Sequence, residues 1–311
     1  MMVQDYPVIC LMGPTASGKS RVALAIAQQW PVEIVNVDAT LIYKGLNIGS
    51  AKPSEQELKQ VPHHLVDIRY PDHPYSVADF VKDASACIDL IQQRGKYPLL
   101  VGGTMMYCRA LQYGLSNLPQ ADPQLRDNIE QQAQQQGWPA LHDLLAQVDL
   151  ATAERIHPND AQRIQRALEV YYLTGQPLSE HNKQNQTAHP GPFINIGLLP
   201  DNRAWLHDKI EKRFQKLLEC GFIEEVSNLV FQQGYSPELP ALRSVGYRQI
   251  IHYLQGYYDY DTMIHKAIVA TRQLAKRQIT WLRKWPNLHP ICCDQTDLAD
   301  KLEKHLTNQL R

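Results

Sequence analysis

Short apolar runs alternate with helix-like stretches through the first third of the chain. The runs Val8–Met12, Val32–Val37, 64–68 and 99–101 have the length of strands buried on both faces, and residues 21–30 have helical spacing. Alternating strands and helices are typical of a parallel sheet that carries helices on both sides. The pattern therefore predicts an α/β fold for this part of the sequence.

From about residue 120 the pattern changes to helices alone. Asp122 followed by a proline is typical of a helix start, and Gly137 is typical of its end. A second helix is expected from 159 to about 174, and a polar loop follows at 176–192. No strand is predicted within this block.

A strand returns at Phe193–Leu199, followed by a helix over 201–220 that Gly221 ends. The helical block, residues 121–190, is therefore predicted to be an insertion. Residues 1–120 and 191–311 would then form one α/β core of the kind found in phosphate-loop NTPases, which bears a set of C-terminal helices.

The first strand leads into a motif of the form Gly-x4-Gly-Lys-Ser, and a helix follows it. Glycines let backbone N–H groups turn around an anion, the helix N-terminus is electropositive, the lysine adds a charge and the serine hydroxyl suits Mg²⁺. A tight turn without a ligand is the alternative, but the flanking strand and helix favour a diphosphate site. The residues of this phosphate loop are Gly13, Pro14, Thr15, Ala16, Ser17, Gly18, Lys19 and Ser20.

Polar residues follow two further predicted strands. Asp38 comes directly after Val32–Val37, and Thr104 comes after Gly102 and Gly103. Strand ends of a parallel sheet share one crevice, so we expect these residues to converge on the phosphate loop. Because no second acid ends the strand before Thr104, displacement of diphosphate with Asp38 as a base is favoured. The alternatives are a helix N-cap for Asp38 and a plain turn at Thr104.

The net charge of −1 conceals a local excess of cations. Residues 263–285, the basic segment, hold six lysines and arginines and no acid. In helical projection Arg272, Lys276 and Arg283 share one side with Thr280, and Leu274, Trp281 and Trp285 lie opposite. This arrangement predicts a surface for a polyanion, with a solvated face as the alternative. Two clusters, 162–166 and 243–248, also carry groups that can contact RNA.

Composition excludes several classes of protein. No apolar stretch has the length of a membrane helix, and residues 1–5 lack the features of an export signal, so a cytoplasmic protein is expected. The six cysteines show no metal or disulfide spacing. A metal cluster of Cys292 and Cys293 with His289 is disfavoured, and His63 and His64 are interpreted as structural.

The motifs together resemble those of one enzyme family. They are Gly13–Ser20, Val37-Asp38, Ile42-Tyr43-Lys44-Gly45, Gly49-Ser50-Ala51-Lys52-Pro53, Gly102-Gly103-Thr104 and the stretch from Lys276 to Arg283. This combination is similar to that of the bacterial tRNA dimethylallyltransferases, the IPP transferase family. The resemblance implies transfer of a dimethylallyl group from its diphosphate to N6 of adenosine 37 in the tRNA anticodon stem-loop, by a monomer that uses Mg²⁺.

The resemblance also implies roles for particular residues. Asp38 would be the base, Thr104 and Arg213 would contact the reaction centre or diphosphate, and Ser20 would bind the metal. One departure stands out, because Ala39 and Thr40 occupy the place where the family usually has serine after the aspartate. The implied tRNA contacts are Asp38, Ala39, Thr40, Leu41, Thr104, Arg126, Gln162, Arg163, Ile164, Gln165, Arg166, Arg243, Ser244, Val245, Gly246, Tyr247, Arg248, Lys276, Arg277, Gln278, Ile279, Thr280, Trp281, Leu282 and Arg283.

Three other functions share part of this pattern. A kinase that uses ATP would need Lys19 and Ser20 but leaves the basic segment unexplained. A non-catalytic RNA-binding protein would retain its function without Asp38. An enzyme that prenylates free adenine nucleotides would need neither the basic segment nor the helical insertion.

Overall fold

Six parallel strands form one sheet in the order β3-β2-β4-β1-β5-β6. The computed structural model describes residues 6–116, 118–181 and 188–310. The strands are β1 (Val8–Met12), β2 (Val32–Val37), β3 (His63–His64), β4 (Tyr97–Gly102), β5 (Phe193–Leu199) and β6 (Leu288–Cys292). This arrangement confirms the predicted α/β fold, and β1, β2 and β5 have the predicted bounds.

Fourteen helices are found among the described residues. In the first part they are α1 (Lys19–Gln29), α2 (Glu55–Gln60), α3 (Val77–Gln93) and α4 (Met105–Tyr113). The helical block holds α5 (Pro123–Gln136), α6 (Trp138–Val148), α7 (Leu150–Ala153), α8 (Ala161–Thr174) and α9 (Leu178–His181). The last part holds α10 (Arg203–Glu219), α11 (Phe222–Ser227), a π-helical turn (Asn228–Gln232), α12 (Tyr247–Leu254), α13 (Tyr260–Leu282) and α14 (Leu298–Leu310). None of the described helices is both long and apolar enough to span a membrane.

Helices cover both faces of the sheet because its strands are apolar on both sides. Val8, Cys10 and Met12 of β1 pack in one core with α3, α4 and α10 to α13, whereas Ile9 and Leu11 pack in a second core with α1 and α14. Side chains alternate between the faces of a strand, so one apolar run contributes to two cores. The result is a buried central strand that leads directly into the phosphate loop.

The register of the sheet aligns the strand ends. Met12 lies opposite Gly102 of β4 and Gly197 of β5, and Val37 lies opposite Gly102. An alanine Cβ at Gly102 would lie 2.1 Å from the carbonyl oxygen of Val37, so this position requires glycine. Asp38, the phosphate loop and Gly103 therefore lie at one edge of the sheet, the edge formed by the carboxyl ends of the strands.

The chain divides into two units, residues 1–112 with 189–311, and residues 113–188. The second unit has its own core, which includes Ile129, Leu145 and Leu168. The caps of α5 follow the prediction: the side chain of Asp122 accepts the N–H of Leu125 at 2.9 Å, and Gly137 ends the helix. α8 ends at Thr174, as expected, with Gly175 as its C-cap. The assignment of catalysis to the first unit and of tRNA contact to the second stays a prediction.

Two local predictions were wrong, and one strand was not predicted. The strand expected at 64–68 stops at residue 64, because Leu65 and Asp67 have positive φ angles of 60° and 56° that interrupt an extended chain. The edge strand β6 was not predicted, since its central Pro290 is unfavourable in a strand except at an edge. The loop expected at 176–192 contains α9, and residues 182–187 lie outside the described part, as do residues 1–5.

Candidate active site

The phosphate loop is a tight turn whose last two residues, Lys19 and Ser20, begin α1. Gly18 has a φ angle of 87°, and Ala16 has a φ angle of 64° that is unfavourable for a residue with a side chain. The hydroxyl of Ser17 is buried and has no hydrogen-bond partner within the described residues. A buried free donor beside the open end of a helix is suited to an anion.

Lys19 folds back across this loop. Its Nζ donates to the carbonyl oxygens of Gly13 and Pro14, at 2.9 and 2.7 Å. Burial lowers the pKa of Lys19 to about 8; the positive charge of Arg213 adds to this shift and the carboxylate of Asp38 opposes it. Lys19 therefore interacts electrostatically with both of the other charged residues predicted for the reaction centre.

Asp38 follows β2 and is half-buried. Its Oδ1 accepts the N–H of Thr40 at 2.9 Å and the Thr40 hydroxyl at 2.7 Å. Its Oδ2 makes no hydrogen bond to the residues that the structure describes. Residues 39–42 form turns and Tyr43 forms an isolated bridge with Arg69, so no helix follows Asp38 and the alternative of a helix N-cap was wrong. One carboxylate oxygen orients the group and the other can accept a proton.

Thr104 is joined to the same turn. Its hydroxyl oxygen accepts the N–H of Ala39 at 3.1 Å, and its own N–H donates to the carbonyl of Val37 at 3.1 Å. These two bonds hold Thr104, the second residue after β4, against the residues on each side of Asp38. The predicted convergence of Asp38 and Thr104 is therefore present.

Arg213 lies on α10 and is half-buried. Burial lowers the pKa of its guanidinium, and the carboxylate of Asp38 opposes this effect. The neighbouring Glu211 forms an ion pair with Arg272 of α13 at 3.1 Å. α10 thus supplies a cation to the edge of the sheet and an acid to the basic segment.

The basic segment is exposed in part, as predicted. Lys276, Arg277, Arg283 and Lys284 are exposed, and Trp285 is buried. Other residues differ from the helical projection. Arg272 is half-buried in its ion pair with Glu211, and Trp281 is 37% exposed rather than packed. Leu282, an expected tRNA contact, is fully buried, so that expectation was wrong. The helix ends at Leu282, which places Arg283 at its C-cap.

Gln278 has a different environment from the one predicted for a tRNA contact. Its side chain is buried, accepts the N–H of Thr15 at 2.9 Å and donates to the carbonyl of Gly103 at 2.9 Å. The sequence indicated that Gln278 lies in the basic segment, but no local pattern indicated its contact with the phosphate loop. The sequence also gave no indication of the role of Glu225, whose carboxylate accepts the backbone N–H groups of residues 47–49.

The cluster 243–248 is exposed at its two ends. Arg243 and Arg248 are exposed and line a cavity of about 190 Å³. Tyr247 is fully buried and its phenol donates to Glu225 at 2.7 Å, so the expectation that this phenol contacts a base was wrong. The two arginines remain candidates for phosphate contact.

The predicted RNA contacts of the helical unit are of two kinds. Gln162 and Arg163 are exposed, whereas Ile164 is buried in the core and cannot contact RNA. Arg166 and Arg126 both donate to the buried carboxylate of Glu169. Gln165 donates to the carbonyl of Arg126 at 3.1 Å. These bonds fix α5 against α8 within the unit.

Oxygen ligands suited to Mg²⁺ are found at the phosphate loop. The Ser20 hydroxyl is exposed in the first turn of α1, and Asp38 offers a carboxylate oxygen. Mg²⁺ prefers oxygen ligands and is commonly held by few protein groups together with substrate phosphates, so these residues fit it. A different group, Asp201, Cys292 and Asp294, lies close together. There Asp294 already accepts the N–H of Asn202 and the thiol of Cys292.

Comparisons with known proteins identify relatives of this chain. A family model described as IPP transferase matches residues 41–285, and one described as isopentenyl transferase matches residues 6–70. A tRNA dimethylallyltransferase of Coxiella burnetii (strain RSA 493) is 51% identical, over 96% of this chain and 96% of its own. One of Legionella pneumophila (strain Corby) is 53% identical, over 89% of each chain.

Solved structures show the same fold. The tRNA isopentenylpyrophosphate transferase of Bacillus halodurans matches with a TM-score of 0.73 and 31% identity, over 98% of this chain and 97% of that one. A eukaryotic dimethylallyltransferase acting on tRNA matches with a TM-score of 0.82 and 26% identity, over 98% and 79%. The sequence matches extend across both units, and the chain therefore belongs to the IPP transferase family.

Proposed function

We propose that this protein transfers a dimethylallyl group from dimethylallyl diphosphate to N6 of adenosine 37 in tRNA. The observation that carries the proposal is the position of Asp38, which follows β2 at the same edge of the sheet at which β1 leads into the phosphate loop. This position supports a role of Asp38 as a base beside the proposed diphosphate site. Family membership supports the same activity, since the relatives are named tRNA dimethylallyltransferases.

The reaction needs a base and a site for the leaving group. The N6 amine attacks the first carbon of the allyl group, and the bond from that carbon to the diphosphate oxygen breaks. The amine is a weak nucleophile that becomes acidic as it attacks, and the Oδ2 of Asp38 accepts the proton. Thr40 and the turn hold the carboxylate in place through Oδ1.

The departing diphosphate develops negative charge that must be neutralised. Lys19, the N–H groups of the phosphate loop and Arg213 supply positive charge at this edge of the sheet. Mg²⁺ would be held by Ser20 and would supply further charge neutralisation to the diphosphate. Two of the three N–H donors of Lys19 bond to Gly13 and Pro14, and the third can donate to the diphosphate.

The tRNA partner is supported by the exposed cations of the basic segment and by Arg243 and Arg248. Such cations neutralise phosphates without reading sequence. The target base must leave its stack to reach Asp38, and a base in a single-stranded loop does so at low cost, which favours the anticodon loop. We further propose that the protein acts as a monomer in the cytoplasm.

A phosphate-loop kinase is the second candidate. It is disfavoured because β4 ends in two glycines and Thr104, where phosphate-loop NTPases often carry a second acid. It also gives no role to the exposed cations of the basic segment.

Nucleoside mass spectrometry tests the proposal. Unmodified tRNA is incubated with the protein, dimethylallyl diphosphate and Mg²⁺, and its nucleosides are analysed. We expect a dimethylallyl mass gain on adenosine with the wild-type protein. The Asp38→Asn variant, which keeps the size of the side chain, should show no gain but should bind tRNA normally. Consumption of ATP on small acceptors, with no gain on tRNA, would favour the kinase.

A further inference from the structure

The side chain of Gln278 connects the phosphate loop to the end of β4. It accepts the N–H of Thr15 and donates to the carbonyl of Gly103, each at 2.9 Å. It is only 8% exposed, although Lys276 and Arg277 directly before it are exposed. A buried amide whose donor and acceptor are both bonded to backbone fixes two chain segments relative to each other.

The phosphate loop needs an external restraint. Ala16 follows Thr15 and has the unfavourable φ angle of 64°, so the contact with Gln278 acts next to the strained residue. When a phosphate is bound, Lys19 shares its three N–H donors between this ligand and the loop carbonyls. The bond from Thr15 to Gln278 can persist in that state because it does not involve Lys19.

The approach of Gln278 to β4 depends on a glycine. An alanine Cβ at Gly103 would lie 2.4 Å from Nε2 of Gln278. Gly103 precedes Thr104, whose hydroxyl oxygen accepts the N–H of Ala39 beside Asp38. One amide group therefore restrains both the diphosphate cradle and the segment that holds the predicted base.

We propose that Gln278 is a positioning residue that sets the diphosphate-binding conformation of the phosphate loop and couples this loop to RNA bound on α13. The coupling rests on the proposed function, because it requires RNA at Lys276 and Arg277. These three residues are consecutive in one helix, so a displacement of α13 by RNA reaches Thr15 through a single side chain. Coupling between two binding sites is reciprocal, and diphosphate strengthens RNA binding by the same factor.

Titration calorimetry with inorganic pyrophosphate and Mg²⁺ tests the positioning role without any chemistry. The Gln278→Ala variant should bind pyrophosphate about tenfold more weakly, the effect expected when a buried hydrogen-bonded group is removed. Its affinity for an anticodon stem-loop RNA in the absence of pyrophosphate should be unchanged. The matched control is Gln273→Ala, an exposed glutamine of the same helix, which should behave as the wild type.

The coupling is measured by repeating the pyrophosphate titration with saturating stem-loop RNA. RNA should raise the affinity of the wild type and of the Gln273→Ala control, but not that of Gln278→Ala. If Gln278→Ala does not fold, Gln278→Glu replaces it. This variant retains the acceptor and loses the donor, so weaker pyrophosphate binding is again expected.

Wild-type pyrophosphate affinity in both Gln278 variants would overturn the positioning role. Weaker pyrophosphate binding with an unchanged effect of RNA would overturn the coupling. Failure of the proposed function is distinguishable from both outcomes. In that case the wild type makes no prenylated tRNA, while the variants still differ from it in pyrophosphate binding.

Discussion

The Thr40 hydroxyl donates a hydrogen bond of 2.7 Å to Oδ1 of Asp38. The IPP transferase family usually has serine directly after this aspartate, and here that position is Ala39. The turn after β2 instead brings the hydroxyl of Thr40 to the carboxylate of Asp38. The hydroxyl that contacts the predicted base is therefore at the second position after it rather than at the first.

This contact predicts a specific effect of Thr40→Val. The variant keeps the backbone bond to Asp38 and the shape of the side chain but loses the hydroxyl. We expect kcat for prenyl transfer to fall about fivefold, since a hydrogen bond of this kind contributes roughly 1 kcal/mol. Steady-state kinetics with Thr40→Ser as the control would measure it, and equal rates for the two variants would show that the hydroxyl does not assist Asp38.

Lys19 predicts a pH dependence of diphosphate binding. Its pKa of about 8 lies below the ordinary value of 10.5, so the free protein loses this charge as the pH rises through 8. The affinity of the wild type for pyrophosphate should then fall relative to that of Lys19→Arg, whose guanidinium stays charged. The ratio of the two affinities between pH 7 and pH 9 removes the titration of pyrophosphate itself. A constant ratio would contradict the prediction.

The same shift affects stability with the opposite sign. Between pH 8 and 10.5 the unfolded chain binds more protons at Lys19 than the folded protein does. The free energy of unfolding in the absence of ligand should therefore gain a contribution from Lys19 as the pH rises through this interval. Urea titrations of the wild type and of Lys19→Met at pH 8 and pH 10 would isolate it; the wild type alone should show the contribution.

The exposed cations of α13 predict a change in salt dependence. Replacing Lys276 and Arg283 together by alanine should weaken tRNA binding and reduce the slope of log K against log salt by roughly two. The double variant can be compared with Lys82→Ala, an exposed lysine of α3. Fluorescence titrations between 50 and 200 mM salt would be used. An unchanged slope would exclude this part of α13 from the interface.

Glu169 predicts an acid-sensitive helical unit. Burial raises the pKa of this carboxyl, but hydrogen bonds from Arg126 and Arg166 outweigh that effect and lower it. Its stabilising contribution is thus present above pH 4.5, its ordinary pKa, and is lost as the pH falls below it. Glu169→Ala should destabilise this unit by about 2 kcal/mol at neutral pH, because both guanidiniums lose their partner.

Thermal unfolding monitored by circular dichroism would measure this effect. Glu154→Ala, at an exposed position of the same unit, provides the control. If both variants had the wild-type melting temperature, the Glu169 network would not stabilise the unit.

Much of the sheet was predictable because apolar runs and glycine-rich turns are local signals. β1, β2 and β5 were placed correctly, since each is a continuous apolar run next to a turn residue or a loop. β6 was not predicted because Pro290 is unfavourable within a strand. Its place in the sheet depends on pairing with β5, more than 80 residues earlier in the chain. Pairing over such a separation leaves no pattern within either segment.

The site was predictable to a similar extent. Asp38 and Thr104 were found because they follow strands whose ends share an edge of the sheet. The contact of Gln278 with the phosphate loop was not predictable, since its partner Thr15 is separated from it by 263 positions. Helical projection placed Trp281 on the packed side, but burial depends on which neighbours α13 meets, and the projection does not contain that information.

The attachment of the helical unit has a consequence for how the sequence can change. The N–H of His189 donates to the carbonyl of Leu111 at 2.9 Å, so the chain leaves and rejoins the sheet unit at almost the same place. Because these ends meet, residues between them can be lengthened, shortened or exchanged for another folded segment without altering the register of β5 against β1. The unit that holds the predicted base can therefore keep its own fold while the length and sequence of the inserted segment change.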